Sequence, residues 1–195
     1  MLEVERTYWA QGHRYVAGVD EAGRGCLAGP VVAAAVIFPP EVRLPGVADS
    51  KTLTAARRET LAAQIRTDAL AWGVGLCAPA EIDRLNILHA ALEAMRRAVA
   101  QLALPPDALL VDGNRLMPTP PCPAEALVQG DRRSHTIAAA SILAKTHRDA
   151  LMQNLHAAHP AYGWSRNKGY PTQDHYAALH AHGPTVHHRR SFRLA

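Results

Sequence analysis

Tyr15-Val16-Ala17-Gly18-Val19-Asp20-Glu21-Ala22-Gly23-Arg24-Gly25 is the stretch on which the fold turns. An apolar run of β character, 15–19, delivers two adjacent acids, and a glycine-rich turn follows. Neighbouring side chains on a regular strand point to opposite faces. Asp20 and Glu21 therefore share one site only if the strand bends or stops at them. Gly23 and Gly25 supply that freedom, because glycine reaches positive φ without a Cβ clash. Paired carboxylates at a strand end, beside Gly-Arg-Gly, suit a divalent metal held next to a phosphate.

Working outward, two more apolar runs read as strands, 30–38 and 71–77, the first closed by Pro39-Pro40. The spacing of Leu61, Ile65 and Ala69 predicts a helix over 54–69, with Thr54 as its N-cap. Ile82, Leu85, Leu88, Leu92, Met95, Val99 and Leu102 step by three or four, which predicts helix over 79–103. Asn86 is placed to cap a second helix within it. Ala108-Leu109-Leu110-Val111 reads as a buried strand ending in Asp112-Gly113-Asn114, and a proline-rich loop leads to a short strand at about 125–128. A long helix is expected over 134–158, its start rich in small residues that permit close packing. The last helix is expected at 172–182. This alternation predicts an α/β layered domain with a central mixed sheet flanked by helices.

The chain has 195 residues, 48% hydrophobic and 19% charged, which suits one folded domain over 1–195 with a helical, basic C-terminal segment from about 159. A net charge of +4 favours a polyanionic partner. Cys26, Cys77 and Cys122 are scattered and odd in number, which argues against a disulfide framework or zinc ribbon. No signal peptide and no apolar run of about 18 residues is present, so a cytoplasmic protein without a membrane span is expected.

Acids stand at the ends of successive strands: Asp20 and Glu21 after the first, Asp112 after the fourth, Asp131 after the fifth. Strand ends in an α/β sheet commonly form a site. Clustered carboxylates repel, by about 4 kcal/mol per pair at 4 Å and an effective dielectric near 20, unless cations sit among them. Hard oxygen ligands select Mg²⁺ or Mn²⁺ over zinc. Asp49-Ser50-Lys51 reads either as a turn presenting a cation or as a loop before a helix. Ser141 and Lys145, four apart, with Arg148 beyond, read either as a phosphate-tracking face or as a solvated basic one. Tyr170, on the turn Gly169-Tyr170-Pro171, stacks on a sugar or base or is simply structural. His187-His188-Arg189-Arg190 is a cationic cluster that reads either as a phosphate contact or as a solvated tail, and the histidines near it follow no metal spacing.

With these residues assembled, the chain resembles ribonuclease HII, the type 2 ribonuclease H of bacteria, over about 15–192. The stretches that carry the likeness are 15–25, Asp49-Ser50-Lys51, Asn86-Ile87-Leu88-His89-Ala90, Val111-Asp112-Gly113-Asn114, Gly130-Asp131, 137–145, Lys168-Gly169-Tyr170-Pro171-Thr172 and His188-Arg189-Arg190-Ser191-Phe192. The resemblance implies an RNase H-like fold. It implies endonucleolytic cleavage of the RNA strand of RNA–DNA hybrids and incision 5′ of single ribonucleotides embedded in duplex DNA, leaving 3′-hydroxyl and 5′-phosphate ends. It assigns Asp20, Glu21, Asp112 and Asp131 to the catalytic acids, the first three as ligands of two Mg²⁺ or Mn²⁺ ions. It assigns Gly23, Arg24 and Gly25 to a turn that senses the ribose 2′-hydroxyl, and Tyr170 to the sugar at the RNA–DNA junction. Lys51, Ser141 and Lys145 correspond to phosphate contacts. The expected partners are RNA–DNA hybrid and ribonucleotide-containing duplex DNA, with the protein a monomer and no obligate protein partner or sliding-clamp-binding segment.

Cys26 departs from the pattern, which commonly has Pro there, and so do Thr52 and Thr146-His147. A non-catalytic basic nucleic-acid-binding module is the alternative, but it leaves four strand-end acids near a polyanion unexplained. A glycosidase would use two carboxylates without needing Gly-Arg-Gly. The sister ribonuclease HIII carries an extra N-terminal domain for which Asp20 lies too near the start.

Overall fold

The structure, a computed structural model, describes residues 1–47 and 53–194. Five strands form one mixed sheet in the order β3-β2-β1-β4-β5. β1 (Val16–Ala22) lies at the centre, antiparallel to β2 (Val31–Ile37) and parallel to β4 (Ala108–Asp112). β3 (Ala71–Cys77) pairs antiparallel with β2, and β5 (Ala124–Leu127) runs parallel to β4. The helices are α1 (Glu3–Ala10), α2 (Ala55–Asp68), α3 (Pro79–Leu85), α4 (Ile87–Ala100), α5 (Gly130–Arg133), α6 (His135–Ala158), α7 (Trp164–Asn167) and α8 (Gln173–His182). The expected α/β architecture, a central mixed sheet flanked by helices, is the one observed. None of the described helices is long and apolar enough to cross a membrane.

The alternation of β1 assigns its two faces. Ala17 and Val19 pack with α4, in a cluster that includes Ala94, Met95 and Ala98. Val16 packs with Ile137 of α6. Gly18 lies on that same face, and a Cβ there would overlap the backbone of Thr136 and Ile137. The small residues Ala138, Ala139, Ala140 and Ala144 complete the α6 contact, against Ala34 and Val36 of β2. Small-on-small packing brings this helix close to the sheet, and with it Ser141 and Lys145.

Several expectations are refined. The run expected at 79–103 is two helices, split at Asn86, which has φ +65°. Asn86 Oδ1 caps α4 by accepting from the N–H groups of Leu88 at 3.0 Å and His89 at 3.2 Å. Thr54 caps α2 as expected, accepting from Arg57 N–H at 3.3 Å. β1 does not stop at the acids but continues through Asp20, Glu21 and Ala22, paired with Ala34, Ala33 and Val32 of β2. Helix α1 was not expected. Its Glu5 is wholly buried, and Oε1 accepts from Ser134 Oγ at 2.7 Å, Thr136 N–H at 3.0 Å and Thr136 Oγ1 at 3.1 Å. That carboxylate caps the start of α6 beside Ser134, whose own Oγ accepts from Ile137 N–H.

Candidate active site

A cleft opens where β4 ends and β1 runs on past it. Asp20, Glu21, Gly23, Arg24, Gly25, Asp112, Ser141, Lys145 and Tyr170 all line it. The two acids of β1 reach it without any break in the strand. β1 pairs with β4 as far as Val19 and Val111, so the cleft straddles the open sheet end. Asp20 turns toward α6, where Ser141 hydrogen-bonds to it. Glu21 turns toward the α4 side, beside Leu88, Leu92 and Asn114. Asp112 is held by the Gly130 N–H, which donates to its Oδ1 at 2.7 Å.

The acids strain one another. Burial, then the neighbouring charges of Glu21 and Asp112, hold the Asp20 carboxyl well above the usual range. The Glu21 N–H donating to Asp20 Oδ1 at 2.6 Å offsets part of this. Burial also raises Glu21, opposed by Arg24, whose Nη1 lies 3.1 Å from Glu21 Oε1. The other oxygen, Glu21 Oε2, is buried with no hydrogen-bond partner. A buried, unpaired carboxylate oxygen is costly unless a cation meets it. The donor set is hard oxygen throughout, so the residues present fit Mg²⁺ or Mn²⁺. Among the described residues, no three His, Cys, Asp or Glu side chains already close into a metal cage. The acids instead flank an open cleft.

Asp131 is not brought into the cleft lining. It is buried at the start of α5, next to the Gly130 that bonds Asp112. Lys51 lies outside the described residues. Arg148 does not extend the Ser141/Lys145 face as expected, because it is wholly buried beneath it. Its guanidinium donates to the carbonyls of Pro30 at 3.0 Å, Ala28 at 3.0 Å and Lys168 at 2.8 Å. Arg189 is buried too, rather than part of a solvated tail. It donates to the carbonyls of Gly23 at 2.7 Å, Arg24 at 2.8 Å and Gly29 at 3.0 Å. Arg189 thus holds the Gly23-Arg24-Gly25 turn from behind and Arg148 packs under Gly23, roles that sequence reasoning missed. One signal was available: Ile137, Ser141, Ala144, Arg148 and Met152 form one helical stripe, buried throughout. Lys145 donates to Asp149 Oδ1 at 2.7 Å, which steadies its head in the cleft.

Tyr170 is 41% exposed at the cleft mouth. Lys145 Nζ sits 5.6 Å from its ring centroid. Its hydroxyl shares a hydrogen bond with Cys26, the buried thiol directly after the turn. Burial pushes that thiol up despite Arg148, Arg189 and Lys145 nearby.

A family model described as Ribonuclease HII matches residues 17–195. The chain belongs to the ribonuclease HII family. The Ribonuclease HII of Salinibacter ruber is 58% identical over the whole of this chain and 98% of its own. The ribonuclease H2 of Pyrococcus horikoshii superposes with a TM-score of 0.77 at 27% identity, covering 93% of this chain and 95% of that one. An RNase HII of Archaeoglobus fulgidus, solved in complex with PCNA, gives 0.71 at 25% identity over 93% and 96%. As a ribonuclease HII, the chain is an RNase H-type hydrolase, an endonuclease acting on RNA–DNA hybrids, in a family that depends on divalent metal ions.

Proposed function

We propose that this ribonuclease HII, as a single catalytic domain, cleaves the RNA strand of hybrids and also incises 5′ of a lone ribonucleotide in duplex DNA. The products are a 3′-hydroxyl and a 5′-phosphate. The observation that carries this reading is one cleft lined together by three acids, a glycine-flanked backbone turn and an aromatic. Asp20, Glu21 and Asp112 would hold two Mg²⁺ or Mn²⁺ ions, with Asp131, buried at the start of α5, as the fourth acid. When bound, such ions activate water and stabilise a leaving 3′ oxygen.

The chain's own residues do the rest. Glu21 keeps a buried, unpaired Oε2 at the cleft, and Ser141 and the Glu21 N–H orient Asp20. Lys145, Ser141 and Lys51 are assigned to phosphates flanking the cut. The Gly23-Arg24-Gly25 backbone offers polar groups to a 2′-hydroxyl, which stay unpaired when the sugar is deoxyribose; that is the source of discrimination. Tyr170 packs against the next sugar.

The test is a set of three duplexes: one embedded ribonucleotide, all-hybrid, and all-DNA, each with Mg²⁺, Mn²⁺ or EDTA. Cleavage is expected on the first two only, cut on the 5′ side of the ribonucleotide, and abolished by EDTA and by Asp20→Asn or Asp112→Asn. Turnover retained by either pure variant rejects the metal-site assignment. An uncut single-ribonucleotide duplex rejects the incision reading.

A further inference from the structure

Behind the cleft, helix α8 and the C-terminal arm form a support that the reaction so far does not use. Residues 187–189 run beside 27–29: the Gly29 N–H donates to the His187 carbonyl at 2.9 Å, and the Arg189 N–H to the Leu27 carbonyl at 2.8 Å. Arg189 then holds the Gly23 and Arg24 carbonyls. His188 turns inward to meet His175 of α8, Nε2 to Nε2 at 3.1 Å, and both rings are buried.

The groups around this pair fix its protons. The Thr185 N–H donates to His188 Nδ1 at 3.0 Å, so the His188 proton sits on Nε2. His175 Nδ1 faces the Tyr170 carbonyl at 2.9 Å, and a carbonyl only accepts, so that nitrogen carries the His175 proton. His175 Nε2 is left as the acceptor, taking the Trp164 indole N–H at 3.1 Å and the His188 N–H. All four ring nitrogens are satisfied with both rings neutral. A proton added to either ring sets donor against donor. No lone pair is left for a metal.

A continuous chain therefore links Tyr170 to His175, His188, Arg189 and the Gly23-Arg24 carbonyls. Resting on the reading of Tyr170 and the Gly-Arg-Gly turn as the ribonucleotide-recognising groups, we propose that His175 and His188 are positioning residues. They set Tyr170 against the turn and so determine the preference for a lone ribonucleotide over a long hybrid. The two recognition groups lie far apart in sequence, and a displacement of about 1 Å in a positioned group can cost 10²-fold in rate. A pair with only one satisfiable pattern of donors and acceptors resists that displacement. The Leu27 N–H, donating to the Gly169 carbonyl at 2.8 Å, secures the residue before Tyr170; His175 secures Tyr170 itself.

The ratio of kcat/KM on a single-ribonucleotide duplex to that on a long hybrid reads this placement and cancels losses common to both. His175→Phe keeps the ring and removes the donor to Tyr170, whereas His175→Asn keeps an N–H where Nδ1 stood. The ratio is expected to fall about tenfold in His175→Phe and to recover at least halfway in His175→Asn. An unchanged ratio in a folded His175→Phe, equal losses on both substrates, or no recovery in His175→Asn overturns the proposal. Tyr170→Ala, assayed alongside, separates the proposal from its premise. An unchanged ratio there rejects the Tyr170 reading, while a lowered ratio there with a normal one in His175→Phe rejects the brace alone. Should His175→Phe not fold, nitrogen NMR on Asp20→Asn supplies the check. Binding a single-ribonucleotide duplex is expected to shift the His175 Nδ1 resonance, and binding all-DNA duplex is not. Identical spectra with the two duplexes overturn the proposal.

Discussion

Two glycines of one turn are glycine for different reasons. Gly23 has φ +93°, and a Cβ there would collide with the buried Arg148 guanidinium. Gly25 has no positive φ, and a Cβ would meet nothing within 4 Å. Neither strain nor packing in the folded chain requires glycine at 25, whereas the nucleotide proposed to press against this backbone would. Gly23→Ala is therefore expected to cost roughly 1–3 kcal/mol, a fall in Tm of several degrees. Gly25→Ala is expected to leave Tm within about 2 °C yet lower cleavage of a lone ribonucleotide at least ~10-fold. Thermal melts and single-turnover rates on the two variants check this. A matching loss of stability at both positions would return Gly25 to an ordinary turn role. Asp20 shows the same tension between function and stability. Its carboxyl is held well above the usual range by burial and by Glu21 and Asp112. The unfolded chain ionises first, so ionised Asp20 lowers stability as pH rises above its ordinary value near 4. Asp20→Asn is expected to be inactive and, in EDTA at pH 7, to melt higher than wild type. A lower Tm would contradict the depicted electrostatics.

At the scale of elements, strands and long helices were legible because their periodicities are strong. Asp20-Glu21 was legible as a site because two acids closing an apolar run have no packing reason to be there. What escaped was set by distant partners. Helix α1 begins Glu3-Val4-Glu5, an ordinary solvent-facing pattern, and only the tertiary contact with Ser134 and Thr136 shows why Glu5 is buried. Losing its three hydrogen bonds at the start of α6 predicts a cost of roughly 2–4 kcal/mol for Glu5→Ala. Glu5→Gln keeps an accepting oxygen and should lose less; equal losses would mean that the negative charge at the helix start, not the bonds, matters. The histidines escaped for the same reason, since nothing in their spacing shows that two of them face each other. Burial lowers His188 to about 4 and His175 below its ordinary value, with His175, then His187 and His159, adding repulsion at His188. The unfolded chain takes these protons near pH 6.5, before the folded one does. Their contribution to stability is full above pH 6.5 and lost as pH falls toward 4. Tm should drop over that window, and the drop should be smaller in His188→Gln, which keeps a donor toward His175 without titrating. An equal drop in the variant would place the acid sensitivity elsewhere.

Across the whole molecule, part of the positive charge is committed to partners within the chain. Of the 21 Lys and Arg residues, Arg148 and Arg189 are buried on backbone carbonyls. Arg97 bridges Glu81 at 2.7 Å and Glu93 at 2.9 Å, Arg96 also holds Glu93, and Arg6 pairs with Glu41 at 2.7 Å. A count of basic residues therefore overstates the charge offered to a nucleic acid. At the cleft the described cations are Arg24 and Lys145, each within reach of a carboxylate that a phosphate would have to displace. Counting Arg24 with Lys145 and Lys51, the two lysines proposed to meet phosphates, gives three cations. Each neutralised phosphate lowers log K by about 0.9 per log unit of salt, so three contacts predict a slope of about −3. Fluorescence anisotropy of Asp20→Asn on a single-ribonucleotide duplex, from 50 to 300 mM KCl, measures it without turnover. A slope steeper than about −6 would mean that the substrate docks over a far wider basic face than this cleft, and a flat response would remove electrostatics from docking altogether. Lys145→Ala should reduce the slope by close to one unit. If it does not, Lys145 serves Asp149 and the Tyr170 ring rather than a phosphate.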